Sequence, residues 1–264
     1  RRHAVIFGGE YGGHRQSPCK NWCSLANVRA MPALQHFSPS TPIAPTSPTI
    51  KGCPGPHALQ RARGRGELTV KGRDGGNGIE RLYQQGCAKI RLPRRSDNVL
   101  EAVLINSSGG VTGGDRLDWS IETGDETRTM VTTQACERLY RTVTNDDGVA
   151  ANPAVVNVDL TVGAGARFSW LPQETLFFDA ATLSRTVTAN LSAESEILIV
   201  EPVIFGRAAM GEKVASGSLH DRWRIYRDER LLHAEDFLLS GDLGHQIDQA
   251  MQLNGHFAVA TLLL

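Results

Sequence analysis

The segment Val156-Asn157-Val158-Asp159-Leu160-Thr161-Val162 alternates strictly between apolar and polar residues. A period of two puts every apolar side chain on the same face, which is the pattern of a β-strand with one buried face. Residues 116–121, Arg-Leu-Asp-Trp-Ser-Ile, repeat this alternation. Both segments therefore predict half-buried strands.

Short β-like runs continue along the chain, separated by turn-forming sequences such as Gly113-Gly114-Asp115 and Gly163-Ala164-Gly165. These runs are Cys87–Leu92, Val99–Ile105, Thr127–Thr133, Arg167–Leu171, Arg185–Asn190, Glu196–Phe205, Ser218–Tyr226 and Leu231–Leu239. Only Ala135–Tyr140 and Leu243–Met251 have a helical pattern. Many short strands at this spacing are typical of an all-β sandwich, barrel or stack. The sequence predicts a mainly β fold with one or two short helices.

Composition excludes several classes of protein. The 264 residues carry a formal net charge of +0, whereas a nucleic-acid-binding surface normally brings a basic excess. No window approaches the roughly 18 consecutive apolar residues of a membrane span, so no membrane association and a cytoplasmic location are expected. The five cysteines are odd in number and scattered, which does not suit a disulfide framework.

Two regions of the chain differ in composition and in hydrophobic pattern. Residues 1–58 include a stretch dense in Pro, Ser and Thr with almost no charge, which predicts a disordered leader, and whether that leader is native is left open. Residues 59–264 carry the strand patterns and predict a single β domain. The chain ends on Thr261-Leu262-Leu263-Leu264, and we expect a truncated C-terminus that leaves an edge strand without its neighbour.

The densest glycine cluster is Gly-Gly-Val-Thr-Gly-Gly-Asp at residues 109–115. It lacks the Gly-Lys-Ser/Thr ending of a phosphate-binding P-loop, and no helix-forming stretch follows it, as a dinucleotide site would require. A tight turn is the better interpretation, in which Gly109, Gly110, Gly113 and Gly114 supply positive φ angles. No Gly-x-Ser-x-Gly nucleophile motif occurs either, so no catalytic residues are predicted.

Metal-ligating residues are sparse in the best-patterned part of the chain. None of the eight histidines lies between Gln60 and Leu219, so no tight transition-metal site is expected. Carboxylates do flank the apolar runs, and each is either a solvated strand-end charge or a functional group; they are Asp115, Glu174, Glu201, Glu212 and Glu235. Glu201 stands out because it interrupts the apolar run Ile197–Phe205. A buried carboxylate needs a partner or a polar channel.

Four motifs occur in a fixed order over about a hundred residues. They are the glycine cluster at 109–115, Thr-Thr-Gln at 132–134 with Tyr140-Arg141, Trp-Leu-Pro-Gln-Glu-Thr-Leu-Phe-Phe at 170–178, and Gly-Arg-Ala-Ala-Met-Gly-Glu at 206–212. This combination resembles the UreD family of urease accessory proteins, called UreH in some bacteria. The resemblance runs from about Arg63 to Leu264.

The resemblance implies a helix-like stack of strands in one domain and a scaffold rather than an enzyme. UreD-like proteins bind UreF, which recruits the GTPase UreG, and the assembly docks on apo-urease; a dimer formed through this complex is compatible with the resemblance. Nickel would pass transiently through an internal channel, with no tightly bound cofactor. By position in the matched motifs, Asp115, Glu201 and Glu235 resemble channel residues, and Glu174 and Glu212 lie in the motifs with a less defined role.

One departure from the family and two other hypotheses bear on this interpretation. Asn106-Ser107-Ser108 stands where the family usually has His-Pro-Pro, which leaves the local turn geometry open. A β-rich interaction module without a metal role would show the same scarcity of histidine. A β-helix enzyme that acts on polysaccharides would need paired carboxylates in a groove with exposed aromatic residues, and aromatic residues make up only 6% of this chain.

Overall fold

The computed structural model of the chain describes residues 3–10, 60–73, 76–94, 97–143 and 152–264. The strands in these ranges are β1 His3–Glu10, β2 Arg63–Arg73, β3 Gly76–Gly86, β4 Ala88–Arg91, β5 Leu100–Asn106, β6 Arg116–Thr123, β7 Arg128–Thr133, β8 Glu137–Leu139, β9 Ala154–Val162, β10 Arg167–Leu171, β11 Thr175–Phe177, β12 Ala181–Leu191, β13 Glu196–Phe205, β14 Ser216–Arg227, β15 Arg230–Asp242 and β16 His256–Leu263. An α-helix, α1, spans Leu243–Asp248, and a 3-10 turn spans Ala208–Met210. No described helix has the length and apolar character needed to cross a membrane.

The strands form two sheets between which the chain passes alternately. The first sheet has the order β1-β16-β13-β10-β7-β5-β4, with β11 paired to β13 and β8 paired to β11, and the second has the order β15-β14-β12-β9-β6-β2-β3. Within the first sheet, β5, β7, β10 and β13 run parallel, and within the second, β6, β9, β12 and β14 run parallel. Along the chain, two parallel strands that are neighbours in one sheet are separated by a strand of the other sheet. The chain therefore winds back and forth between the sheets, and each turn packs on the previous one. The predicted mainly β, stacked-strand fold is confirmed.

The core lies between the two sheets and is built by the alternation seen in the sequence. Along β12 nearly every second residue is buried, starting with Ala181 and Leu183, while the residues between them are partly exposed. Trp223 from β14 and Phe205 from β13 are fully buried and belong to the two hydrophobic clusters that fill the interior. Each large apolar side chain removed from water contributes about 1.5–3 kcal/mol, so the facing sheets hold each other in place.

One of the two helical segments was predicted correctly. Leu243–Met251 contains α1, whose first turn is capped by the Asp242 carboxylate accepting from the backbone N–H of His245 at 3.0 Å. The helix predicted over Ala135–Tyr140 is wrong, because Glu137–Leu139 forms the short strand β8 alongside β11. Leu139 is fully buried in a hydrophobic cluster, and this tertiary contact overrides the weak local helical preference.

The two ends of the chain are neighbours in the first sheet. Strand β16 pairs with β13 on one side and with β1 on the other, so the expectation of a final strand without a neighbour is wrong. Strand β1 also falls within the predicted leader, and the predicted disorder does not hold for residues 3–10. Residues 3–8 and 10 are in antiparallel register with residues of β16. The remainder of the predicted leader lies outside the described residues.

The glycine cluster forms the predicted tight connection between β5 and β6, with the predicted positive φ at Gly109, Gly110 and Gly114 but not at Gly113. Gly110 has a φ of 144°, and a Cβ at this position would lie 2.6 Å from the backbone oxygen of Arg138 and 2.4 Å from Tyr140 Cε2. Only glycine therefore lets this connection approach β8 so closely. The backbone N–H of Val111 donates to the Arg138 carbonyl at 2.8 Å and fixes the contact.

Candidate functional site

A cavity of about 60 Å³ lies between the two sheets. Inward-facing residues of both sheets form most of its lining: Leu104, Val111, Leu117, Trp119, Thr133, Glu137, Leu139, Val156, Val158, Trp170, Pro172, Gln173, Thr175, Leu183, Arg185 and Glu201. About 10–15 Å³ of such space accommodates one water molecule, so a cavity with polar groups on its wall has room for several. Two carboxylates and one guanidinium on an otherwise largely apolar wall make this cavity the candidate functional site.

Glu201 occupies an inward position of β13 and has a partner for each carboxylate oxygen. The indole N–H of Trp170 donates to Oε1 at 2.7 Å, and Nη1 of Arg185 donates to Oε2 at 2.5 Å. Only 4% of the Glu201 side chain is exposed, and 5% of the Arg185 side chain. The requirement of a partner, inferred from the apolar run around Glu201, is met by a cation from the opposite sheet.

Arg185 joins Glu201 to a second buried carboxylate, Asp221 on β14. Its Nε donates to Asp221 Oδ1 at 3.1 Å and its Nη2 donates to Oδ2, which makes the contact bidentate. The indole N–H of Trp223 also donates to Asp221 Oδ1, at 3.2 Å. We call Glu201, Arg185 and Asp221 the buried triad. With both carboxylates ionised it carries one net negative charge, and it ties the two sheets together across the core.

The charges of the triad set the protonation of its members. Burial lowers the pKa of Arg185, but the neighbouring charges of Asp221 and Glu201 outweigh this effect and raise the pKa above its ordinary value. Burial raises the pKa of Glu201, and the opposing attraction of Arg185 does not fully cancel this shift. The guanidinium therefore stays charged, and the two carboxylates compete for it.

Glu137 on β8 is the second carboxylate of the cavity wall. Its Oε1 accepts a hydrogen bond from Nδ2 of Asn106 at 3.1 Å, and the same amide donates to the backbone oxygen of Gly110 at 3.2 Å. Burial raises the pKa of Glu137 to about 7; hydrogen bonds from Asn106 and from the backbone of Arg138 oppose the shift, and the charge of Asp115 adds to it. Neutral donors thus orient Glu137 without compensating its charge.

Asp115 has a local role in the turn. Its Oδ1 accepts from the backbone N–H of Ala62 at 2.7 Å, and its Oδ2 accepts from the backbone N–H of Thr112 at 2.9 Å. Asp115 is buried, but it is absent from the cavity wall. Its carboxylate thus links the glycine connection to the residue that precedes β2.

The other three predicted carboxylates also lie away from the cavity wall. Glu212 forms an ion pair with Arg207 on the surface, with 2.7 Å between Oε2 and Nε. Glu235 on β15 has its Oε2 3.8 Å from Nε2 of His233. Glu174 precedes β11, and its backbone oxygen accepts the N–H of Glu137 at 3.0 Å. Of the five carboxylates predicted from the sequence, Glu201 alone lines the cavity.

Comparison with known proteins agrees with the motifs. The profile of the family "UreD urease accessory protein" matches residues 62–264. A urease accessory protein UreD from Rhizobium rhizogenes (strain K84) is 49% identical over 204 residues, which cover 77% of this chain and 72% of the relative. The protein of the same name from Mesorhizobium japonicum is 46% identical over 209 residues, which cover 79% and 72%. The chain belongs to the UreD family. The resemblance inferred from the four motifs is confirmed.

In this UreD family member, sequence reasoning missed three residues of the site, although the signal for two was present. Arg185 takes the place of an apolar residue in the alternation Leu183, Arg185, Val187, and Asp221 does the same between Leu219 and Trp223. A polar residue in an inward register is a buried polar residue that needs a partner. Glu137 was missed because the segment around it was assigned to a helix.

No group of three or more His, Cys, Asp or Glu residues that could hold a metal ion occurs in residues 60–73, 76–94, 97–143 and 152–264. Cys87 and Cys136 are free thiols there, and burial raises the pKa of Cys87.

Proposed function

We propose that this chain is a nickel-transfer scaffold and has no catalytic activity of its own. It assembles with UreF and the GTPase UreG on apo-urease, and nickel passes to the urease metallocentre as cargo. Membership of the family of urease accessory proteins supports the link to urease. The inter-sheet cavity with its carboxylates is the observation that carries the transfer role.

The chemistry of the cavity suits a passage better than a storage site. A conduit must attract a divalent cation and still release it, which requires ligands of low affinity. Carboxylates, hydroxyl groups and water meet this condition, whereas thiolate and imidazole clusters hold nickel tightly. The wall offers Glu201, Glu137 and the hydroxyl of Thr175. The net negative charge of the buried triad favours entry of a cation despite the guanidinium of Arg185.

The remaining predicted channel residues have positions that support other steps of the same function. Asp115 stabilises the connection that packs against β8, so we propose that it shapes the cavity from outside. Glu235, Glu174 and Glu212 stay candidates for guiding nickel towards the cavity, or for contacting the partner proteins. A dimer of the assembly would bring two copies of the cavity to one urease complex.

The test is co-expression with a urease operon that lacks its own UreD, with nickel per urease active site as the measurement. The wild-type chain should restore nickel loading, and an empty vector should not. Glu201→Gln should retain binding to UreF in a pull-down and lower nickel loading, because it removes the net negative charge of the buried triad. Glu196→Gln, an exposed substitution on the same strand, serves as the matched control.

The outcome separates the competing functions. Equal nickel loading with and without the chain would refute the transfer role. Binding to UreF without any effect on nickel would favour a plain interaction module. Cleavage of a polysaccharide by the purified chain would favour the enzyme hypothesis.

A further inference from the structure

The two carboxylates of the cavity wall are not equivalent, and the difference assigns them separate roles. We propose that Glu137 holds the divalent cation in the inter-sheet cavity, while Glu201 serves as the ion-pair partner of Arg185. This inference rests on the proposed nickel-transfer function and names the residue at which the cation pauses.

Glu201 is a poor ligand because both of its oxygens are already engaged. Trp170 holds Oε1 at 2.7 Å and Arg185 holds Oε2 at 2.5 Å, in a place where almost nothing of the side chain is exposed. A cation that bound here would have to displace a buried guanidinium and would then lie beside its positive charge. Breaking a buried ion pair leaves uncompensated charges and costs several kcal/mol in general.

Glu137 has no such counter-charge. Its partners are the neutral amide of Asn106 and the backbone N–H of Arg138, and no ion pair with a Lys, Arg or His side chain forms in the described ranges. A carboxylate offers about four lone-pair positions, so two neutral hydrogen bonds leave room for a cation. Above its pKa of about 7 the carboxyl group of Glu137 is ionised, and an uncompensated negative charge at the cavity wall then attracts a cation more strongly than one in bulk water.

The geometry around Glu137 fixes its direction. The Asn106 amide bridges Glu137 and the backbone of Gly110, so the glycine connection and β8 hold the carboxylate in one orientation. Thr133 and Thr175 line the same cavity, and Thr175 lies beside Glu137 as its register partner on β11. One carboxylate, neutral oxygens and water form a low-affinity oxygen site for a divalent cation, of the kind that releases its ion.

A site-specific measurement tests this assignment. The chain, labelled with ¹⁵N in its tryptophans, is titrated at pH 8, where Glu137 is ionised, with Mn²⁺, a paramagnetic cation that prefers oxygen ligands. Trp119 and Trp170 line the cavity, so a cation bound there broadens their indole N–H signals more strongly than a cation on a distant surface histidine does. We expect these two signals to broaden at the lowest Mn²⁺ concentrations in the wild type. Glu137→Gln should raise the Mn²⁺ concentration needed for half-broadening by about tenfold, because one full charge is lost.

Three further variants make the result decisive. Glu137→Asp keeps the charge and should stay within about threefold of the wild type, since the ligand is shortened by only one methylene. Glu201→Gln should shift the titration less than Glu137→Gln, and the exposed control Glu196→Gln should not shift it. Well-dispersed indole signals in the metal-free spectra establish that each variant is folded, although the Trp170 signal should move in Glu201→Gln because its N–H donates to Glu201.

Equal titrations for the wild type and Glu137→Gln, or no selective broadening in the wild type, would overturn the assignment. A larger shift for Glu201→Gln than for Glu137→Gln would also overturn it. These results are independent of the nickel-transfer test: that function fails if urease loads nickel without the chain, whereas the Glu137 assignment fails on the Mn²⁺ titration alone.

Discussion

Two bidentate Arg–Asp pairs lie on opposite faces of the second sheet and have the same chemistry in different surroundings. On the outer face, Nε and Nη2 of Arg116 donate to Asp118 at 2.8 and 2.9 Å. On the inner face, Nε and Nη2 of Arg185 donate to Asp221 in the same arrangement. The outer side chains are 46% and 33% exposed, whereas the inner ones are 5% and 7% exposed.

The difference in exposure means that the geometry of an ion pair alone does not determine how much it contributes to folding stability. The outer pair can exchange each hydrogen bond for water and is worth little to folding. The inner pair has no water to replace it, and it shares its guanidinium with Glu201. Removal of the arginine alone should therefore cost little stability on one face of the sheet and much more on the other.

The largest effect should come from removing the inner cation. Arg185→Met leaves Glu201 and Asp221 buried without a counter-charge, and we expect a loss of about 3–5 kcal/mol in the free energy of unfolding at pH 8. Urea denaturation measures it. Arg185→Met combined with Glu201→Leu and Asp221→Leu should recover most of the loss, because no buried charge then remains. If the free energy of unfolding of Arg185→Met alone lay within about 1 kcal/mol of the wild-type value, the inner pair would contribute no more than the outer pair.

An intermediate effect should appear in the pH dependence of stability. The pKa of Glu137 is raised from 4.5 to about 7 in the folded chain, so the neutral form is the one that folding favours. The stability that the protonated Glu137 contributes is fully present below pH 4.5 and is lost as the pH rises through 7. Between pH 5 and 8 the wild type should lose up to about 3 kcal/mol relative to Glu137→Gln. Parallel pH profiles for the two proteins would contradict the raised pKa.

The smallest effect should come from the outer pair. Arg116→Ala removes both hydrogen bonds to Asp118, but Asn157 still donates to that carboxylate at 2.8 Å and water replaces the rest. We expect a loss below about 1 kcal/mol in urea denaturation, reduced further by added salt. A loss comparable to that of Arg185→Met would mean that burial does not distinguish the pairs.

Much of the fold could be predicted from local pattern. The alternation in residues 156–162 lies within β9, and the predicted run Glu196–Phe205 has the bounds of β13. The segment at Ala135–Tyr140 was assigned wrongly because its strand has only three residues and depends on contacts with distant strands. Such a short strand has no local period to detect.

The site was predictable only in part, since it depends on pairing across the sheets. Glu201 could be identified as a polar residue in an apolar strand, but its partner Arg185 comes from a different sheet. No local sequence pattern predicts the relative position of the strands that brings Trp170 to one oxygen of Glu201 and Arg185 to the other. Glu137 depends further on the glycine connection that carries Asn106 to it.

The alternating path of the chain also bears on how quickly the protein folds. Neighbours in the second sheet are far apart in sequence: Asn157 contacts Asp118 across 39 residues, and Arg185 contacts Asp221 across 36. Each such contact requires the closure of a long loop before any hydrogen bond forms, so the chain has a high contact order and should fold slowly. Until the next strand of a sheet has been added, the last strand in place has an unpaired edge. A newly made chain therefore presents an aggregation-prone edge for longer than a helical protein of the same length would.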